Sequence, residues 1–161
     1  MLRRVAVALV GVVAGALLLS GCGAVDLPLA AVRLDGSGAP EALLRPCGDD
    51  LIQGLSLSGA PDGDDRNLSG WEVPGKRHGA DAGFPLFSPP AAWHAKAAGK
   101  QRLVSSYTYV LAFGKAEDNY DYTGVVTFTA RDLARLKPGQ VWADDRAMSL
   151  GEFEKLAEDS C

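Results

Sequence analysis

The sequence predicts a mainly β domain, a compact antiparallel sandwich or small open barrel with a short C-terminal helix, with an α+β layer arrangement as the alternative. Three observations carry this prediction. From Leu103 to Phe113, Tyr107, Tyr109, Leu111 and Phe113 fall on one face, while Val104, Ser106, Thr108, Val110 and Ala112 fall on the other. From Tyr120 to Thr129 the same period places Tyr122, Val126 and Phe128 opposite Asp121, Thr123, Val125 and Thr127. Helical spacing, by contrast, is confined to short pieces near the C-terminus.

Taken in chain order, Leu55 and Leu57 alternate with Ser56 and Ser58, and Trp71 and Val73 flank Glu72, giving two short half-buried strands. Gly75 to Gly99 holds Pro85, Pro89, Pro90 and both histidines and reads as one long irregular loop. Loops of that length are uncommon unless they carry function, so a specific ligand is sought there first. The polar stretch Gly114 to Asn119 supplies turn chemistry between the two long alternating runs and predicts an antiparallel hairpin. Thr129 and Asp132 have capping-box spacing ahead of a turn or two of helix. Lys137-Pro138-Gly139-Gln140 then makes a turn, and Val141 and Trp142 open another strand. Ser149 and Glu152 form a second capping box, after which Leu150, Phe153, Leu156 and Ala157 share one helical face.

The N-terminus has a different character. Arg3 and Arg4 precede an apolar run from Val5 to Leu19. About fifteen residues of helix span roughly 22 Å, short of the 30 Å or so of bilayer hydrocarbon. A basic start, a short apolar stretch and small residues after it describe an export signal rather than a permanent span. The four residues that follow, Leu19-Ser20-Gly21-Cys22, resemble the lipobox of bacterial lipoproteins. That resemblance implies cleavage between Gly21 and Cys22, a diacylglycerol thioether on Cys22 and a further acyl chain, such as palmitate, on the new amino group. Membrane lipid would then be a partner through acylated Cys22, on the extracytoplasmic face of the cell membrane, because two or three acyl chains hold a protein firmly where one does not. Ten arginines against six lysines and the single isoleucine Ile52, with abundant alanine and glycine, are similar to small lipoproteins of high-GC actinobacteria.

This organisation divides the 161 residues into a signal peptide (1–21), a lipidated N-terminus with a flexible tether (22–40) and an extracytoplasmic β-rich domain (41–161). The tether reading rests on Pro28, the Gly36-Ser37-Gly38 cluster and Pro40, with no clear period between them. The formal net charge is -4, and the signal segment removes two arginines and no acid. Such a surface offers no basic footprint, so nucleic acid is not expected as a partner.

Export also bears on the cysteines. With Cys22 consumed by lipid, Cys47 and Cys161 remain as an even pair in an oxidising setting and predict a disulfide. Its loop of about 115 residues corresponds to roughly 4 to 5 kcal/mol in the chain-entropy account. The bridge is expected to pin the terminal helix to the first strand of the domain.

Catalytic and metal signatures are sparse. Gly54-Leu55-Ser56-Leu57-Ser58-Gly59 has its second glycine one residue too late for a nucleophile elbow, and its leucines alternate as a strand. His78 and His94 stand sixteen apart with Asp81 nearby, without the close spacing of a zinc site. Asp62, Asp64 and Asp65, and separately Glu117, Asp118 and Asp121, offer oxygen ligands of the kind calcium takes, but neither group follows the EF-hand spacing. Trp93, between Pro90 and His94, is the aromatic singled out as exposed, so Trp93, His78 and His94 form the candidate ligand surface. No cofactor is expected. The sequence therefore predicts a lipid-anchored binding or structural module at the cell envelope, facing an envelope protein or wall polymer. The alternative is a small secreted hydrolase acting on cell-wall polymers.

Overall fold

The computed structural model describes residues 24–115 and 122–161. Two sheets stack around one apolar core, as the alternating runs predict, and neither closes into a barrel. The larger sheet contains β1 (Val25–Leu27), β4 (Leu51–Ala60), β5 (Ser69–Glu72), β8 (Lys96–Gly99), β9 (Thr108–Lys115) and β10 (Tyr122–Thr129) in the order β1-β10-β9-β4-β5-β8. A further short strand, β6 (Lys76–His78), lies beside the start of β4. The smaller sheet has the order β12-β11-β2-β3-β7, from β2 (Ala30–Leu34), β3 (Pro40–Leu44), β7 (Ala82–Pro85), β11 (Gln140–Ala143) and β12 (Arg146–Ser149). Among the described strand pairs only β1 with β10 is parallel.

The β9–β10 pair forms the centre. Its register runs from Thr123 opposite Gly114 to Thr129 opposite Thr108, so Tyr109, Leu111, Phe113, Val126 and Phe128 all point inward and are buried. Gly124 faces Phe113 across the ladder, and a Cβ there would collide with the Phe113 ring, so the ring occupies the space a side chain would take. The strand expected from Leu103 begins only at Thr108. The preceding segment is held as a loop because the Val104 N–H donates to the Tyr109 hydroxyl (2.9 Å). That hydroxyl also lies 3.0 Å from Oγ of the fully buried Ser69, whose own proton goes to the Arg102 carbonyl (2.9 Å). A buried polar cluster with each group paired fixes the loop against the core.

Both capping boxes form. Thr129 caps α1 (Ala130–Ala134) with Asp132, and Ser149 caps α2 (Leu150–Ser160) with Glu152. Phe153 and Ala157 are buried as the spacing predicts, and α2 lies against β11 and β12. The strand expected at Val141 and Trp142 forms as β11, and its pairing with β12, not predicted, turns at Asp144-Asp145, both with positive φ (49° and 54°). Two successive left-handed residues make the primed turn that suits hairpin twist, here without the usual glycine.

Over its described part, 24–40, the expected tether is not one. From Val25 onward the chain is in strands, and Leu29, Ala30, Ala31 and Val32 are completely buried. Because β2 lies inside its sheet with Ala30 to Val32 buried on both faces, it shows a short apolar run instead of alternation. The Gly36-Ser37-Gly38 cluster is the β2–β3 turn. Asp35 accepts hydrogen bonds from the Ser37 N–H (2.8 Å), the Ser37 hydroxyl (2.6 Å) and the Ala39 N–H (3.0 Å), which together lower its pKa. The folded domain therefore starts near Val25, not Glu41.

The disulfide is present, with Cys47 and Cys161 Sγ atoms at bonding distance and Cα atoms 5.4 Å apart. It ties the end of α2 to the β3–β4 connection rather than to the first strand. The proposed cleavage and lipidation positions Gly21 and Cys22, and the calcium candidates Glu117, Asp118 and Asp121, lie outside the described residues. Among the described residues, no helix is long and apolar enough to cross a membrane.

Candidate functional site

The segment read as one irregular loop, Gly75 to Gly99, instead holds β6, β7, a single 3-10 turn (Ala91–Trp93) and β8. These strands have only three or four residues, too few to declare a period. They carry the chain from the larger sheet to the smaller and back.

A bulge interrupts β4. The β4–β9 register shifts between Gln53 and Ser56, and Gly54 takes φ 65° within the shift. The extra residue resets the alternation, so Ile52 and Leu55 both face the core. It also divides the other edge of β4, whose far half pairs with β5 and whose near half pairs with β6. At the division the sheets part and leave a cavity of about 140 Å³. Ile52, Leu55 and Leu44 form its apolar floor, and Arg77, His78, Asp81 and Trp93 its rim.

Trp93 is half-buried rather than freely exposed. Its ring stands edge-on to Phe84 (5.0 Å, 80°), which in turn meets Trp71 (5.9 Å). Trp71 is anchored in the core by donating its indole N–H to the Leu86 carbonyl (2.8 Å). Rings thus lead from the core to the seam, where the Arg77 guanidinium sits 4.3 Å above the centre of Trp93. Such stacking is worth about 0.5 to 2 kcal/mol, more as water is excluded. Burial lowers the Arg77 pKa from its ordinary value.

The structure brings His78, Trp93 and Asp81 to one cavity but leaves His94 outside its lining. His94 is exposed and ends the 3-10 turn with φ 53°. Nδ1 of the exposed His78 lies 3.4 Å from the Asp49 carbonyl. Asp81 pairs with Arg45 (3.7 Å), which also reaches Glu154 on α2 (3.2 Å). Beyond Asp81 a broader groove of about 440 Å³ runs between α2 and the disulfide. Arg77 is the functional candidate that sequence reasoning missed. Within Lys76-Arg77-His78 it reads as an ordinary solvated charge, and only its register opposite Ile52 reveals otherwise.

The remaining sequence candidates are structural. Ser56 lies in the middle of β4, not on a sharp strand-to-helix turn. Asp62 accepts from the Thr108 hydroxyl (2.8 Å), and Asp64 binds the Arg66 guanidinium (2.7 Å), which holds its carboxyl down at about 2. Among the described residues no group of His, Cys, Asp and Glu is arranged to hold a metal ion. Trp142 donates to the Thr127 carbonyl (2.9 Å) and, with Trp71 in the core, leaves Trp93 as the tryptophan at the seam.

No protein family, no curated protein and no solved structure matches the chain.

Proposed function

We propose that this chain is a lipid-anchored lipoprotein on the extracytoplasmic face of the membrane, whose sandwich serves as a binding module at the cell envelope. The cysteine arrangement carries the reading. Of three cysteines, Cys47 and Cys161 are joined, and the remaining one, Cys22, follows Leu19-Ser20-Gly21 at the end of the apolar leader. A disulfide closing most of the domain belongs to an oxidising compartment.

Binding rather than catalysis is supported by the composition of the seam. Its lining offers a guanidinium, an indole, one imidazole and one carboxylate, with no hydroxyl or thiol nucleophile. Glycoside cleavage uses two carboxylates across the scissile bond, and Asp81 stands there alone.

Because β1 begins three residues after Cys22, an anchor there would allow at most about 10 Å between lipid and sandwich. The module rides against the bilayer surface instead of on a long leash. Fractionation of cells expressing the full chain, with intact-mass analysis, tests the reading. The expected product is membrane-bound, lacks residues 1–21 and carries a diacylglycerol on Cys22, whereas Cys22→Ser is unprocessed or released. A wild-type chain with an unmodified Cys22, or a mutant that still takes up labelled lipid, overturns it.

A further inference from the structure

The side chain at position 77 lies on the wrong face for a charge. Arg77 pairs directly with Ile52 in the β6–β4 ladder. Directly opposed residues share a face of the sheet, and Ile52 is 2% exposed, so Arg77 projects toward the core side. Its neighbours Lys76 and His78 are exposed, as alternation requires, while Arg77 is half-buried. A partly desolvated cation ordinarily acquires a carboxylate partner. Among the described residues none lies within ion-pair distance of Arg77, although Arg45 nearby has two. What Arg77 has instead is Trp93, with the guanidinium carbon 4.3 Å above the ring centre, and among the described residues no hydrogen bond engages its N–H groups.

We propose that this seam binds a small monocarboxylate, with the carboxylate received on the N–H edge of Arg77 and the short apolar group lodged on Ile52 and Leu55. The guanidinium edge matches a planar carboxylate through two parallel hydrogen bonds. The cavity, about 140 Å³, holds roughly five waters' worth of liquid volume, enough for a two- or three-carbon acid and little more. Asp81 on the rim and the net charge of -4 disfavour a second negative charge, so a dianionic phosphate fits less well than a carboxylate. The inference rests on reading the domain as a binding module and is independent of its anchor.

An inward charge on an edge strand also has another use, since it blocks pairing with a second chain's edge. That use requires neither a cavity nor an aromatic partner, and the two roles separate experimentally. The full chain in detergent micelles is titrated with sodium propionate at constant ionic strength, with sodium chloride, methylphosphonate and propylamine as comparison probes. The Arg77 Nε–H and Trp93 indole N–H resonances are followed by proton–nitrogen correlation spectra. Propionate should shift both saturably, methylphosphonate more weakly and propylamine not at all. Arg77→Ala should abolish saturation, and Arg77→Lys, which keeps the charge but not the fork, should weaken binding about tenfold with the remaining spectrum unchanged.

Shifts that track chloride without saturating overturn the proposal, as does tighter binding of methylphosphonate than of propionate. So does a wild type indifferent to propionate whose Arg77→Ala variant associates into dimers, since Arg77 would then be an edge guard. A soluble chain with unmodified Cys22 that still saturates with propionate would refute the anchor alone. A membrane-anchored chain that ignores propionate would refute this inference alone.

Discussion

At the centre of the larger sheet the inner faces of β4, β9 and β10 carry buried apolar side chains and two hydrogen-bonded tyrosines, Tyr109 and Tyr122. At its β6 margin the inner face carries a guanidinium lying on an indole above a small cavity. Both regions use the same ladder, and Ile52 belongs to both, facing Lys115 of β9 on one side and Arg77 of β6 on the other. The difference comes from closure. Where strands flank each other on both sides, an inward charge has no route to water and apolar packing is the stable solution. Where the Gly54 bulge parts the sheet edge, a charge keeps partial solvation and the fold tolerates a group that contributes little to stability. The centre should therefore respond to substitution through stability and the margin through binding.

The largest expected effect is at the centre. Phe113→Ala removes a 1% exposed ring packed over Gly124 and should cost about 3–5 kcal/mol in denaturant unfolding. Opening the clamp comes next, and Cys161→Ser should cost about 2–5 kcal/mol and free the end of α2 to exchange amide hydrogens faster. At the margin, Trp93→Ala should cost only about 1–2 kcal/mol, because the ring is half-buried, while removing the surface on which Arg77 lies. A Trp93 cost equal to that of Phe113 would erase the contrast between the two regions.

A further effect is confined to alkaline pH. Tyr122 is buried and donates its hydroxyl proton to Asp50 (3.0 Å), and burial first, then this hydrogen bond, pushes its pKa up to about 12 from 10.0. The folded state holds that proton more tightly than the unfolded chain does. Its contribution is complete below pH 10.0 and disappears as the pH rises toward about 12. Wild type should lose stability across that interval more steeply than Tyr122→Phe, and parallel curves would contradict the assignment.

What could be read from the sequence was local and periodic. The β9–β10 hairpin announced itself because eight-residue strands with one buried face alternate visibly, and both helices because their caps are set by residues three apart. The disulfide followed from cysteine count and the expectation of export. Three features were hidden for separate physical reasons. Ala30 to Val32 are buried on both faces, which erases the period that marks a strand. Strands β6, β7 and β8 are too short to show one. The seam depends on register, since a bulge in β4 and a pairing 25 residues distant in sequence decide that Arg77, not the flanking Lys76 or His78, turns inward. Trp93 and His78 were legible as candidates because they stood in the proline-rich stretch, whereas His94, in the same stretch, is left in solvent by the turn it terminates.

The claim that Arg77 is retained for a ligand rather than for the fold is tested most directly by the melting temperature of Arg77→Leu. Leucine offers an apolar side chain beside Ile52 and Leu55 without a partly desolvated charge, and replacing a poorly compensated charge by apolar packing is often neutral or stabilising. The account predicts a melting temperature equal to or above that of wild type. A decrease comparable to that of Phe113→Ala would show that Arg77 is structural and contradict it.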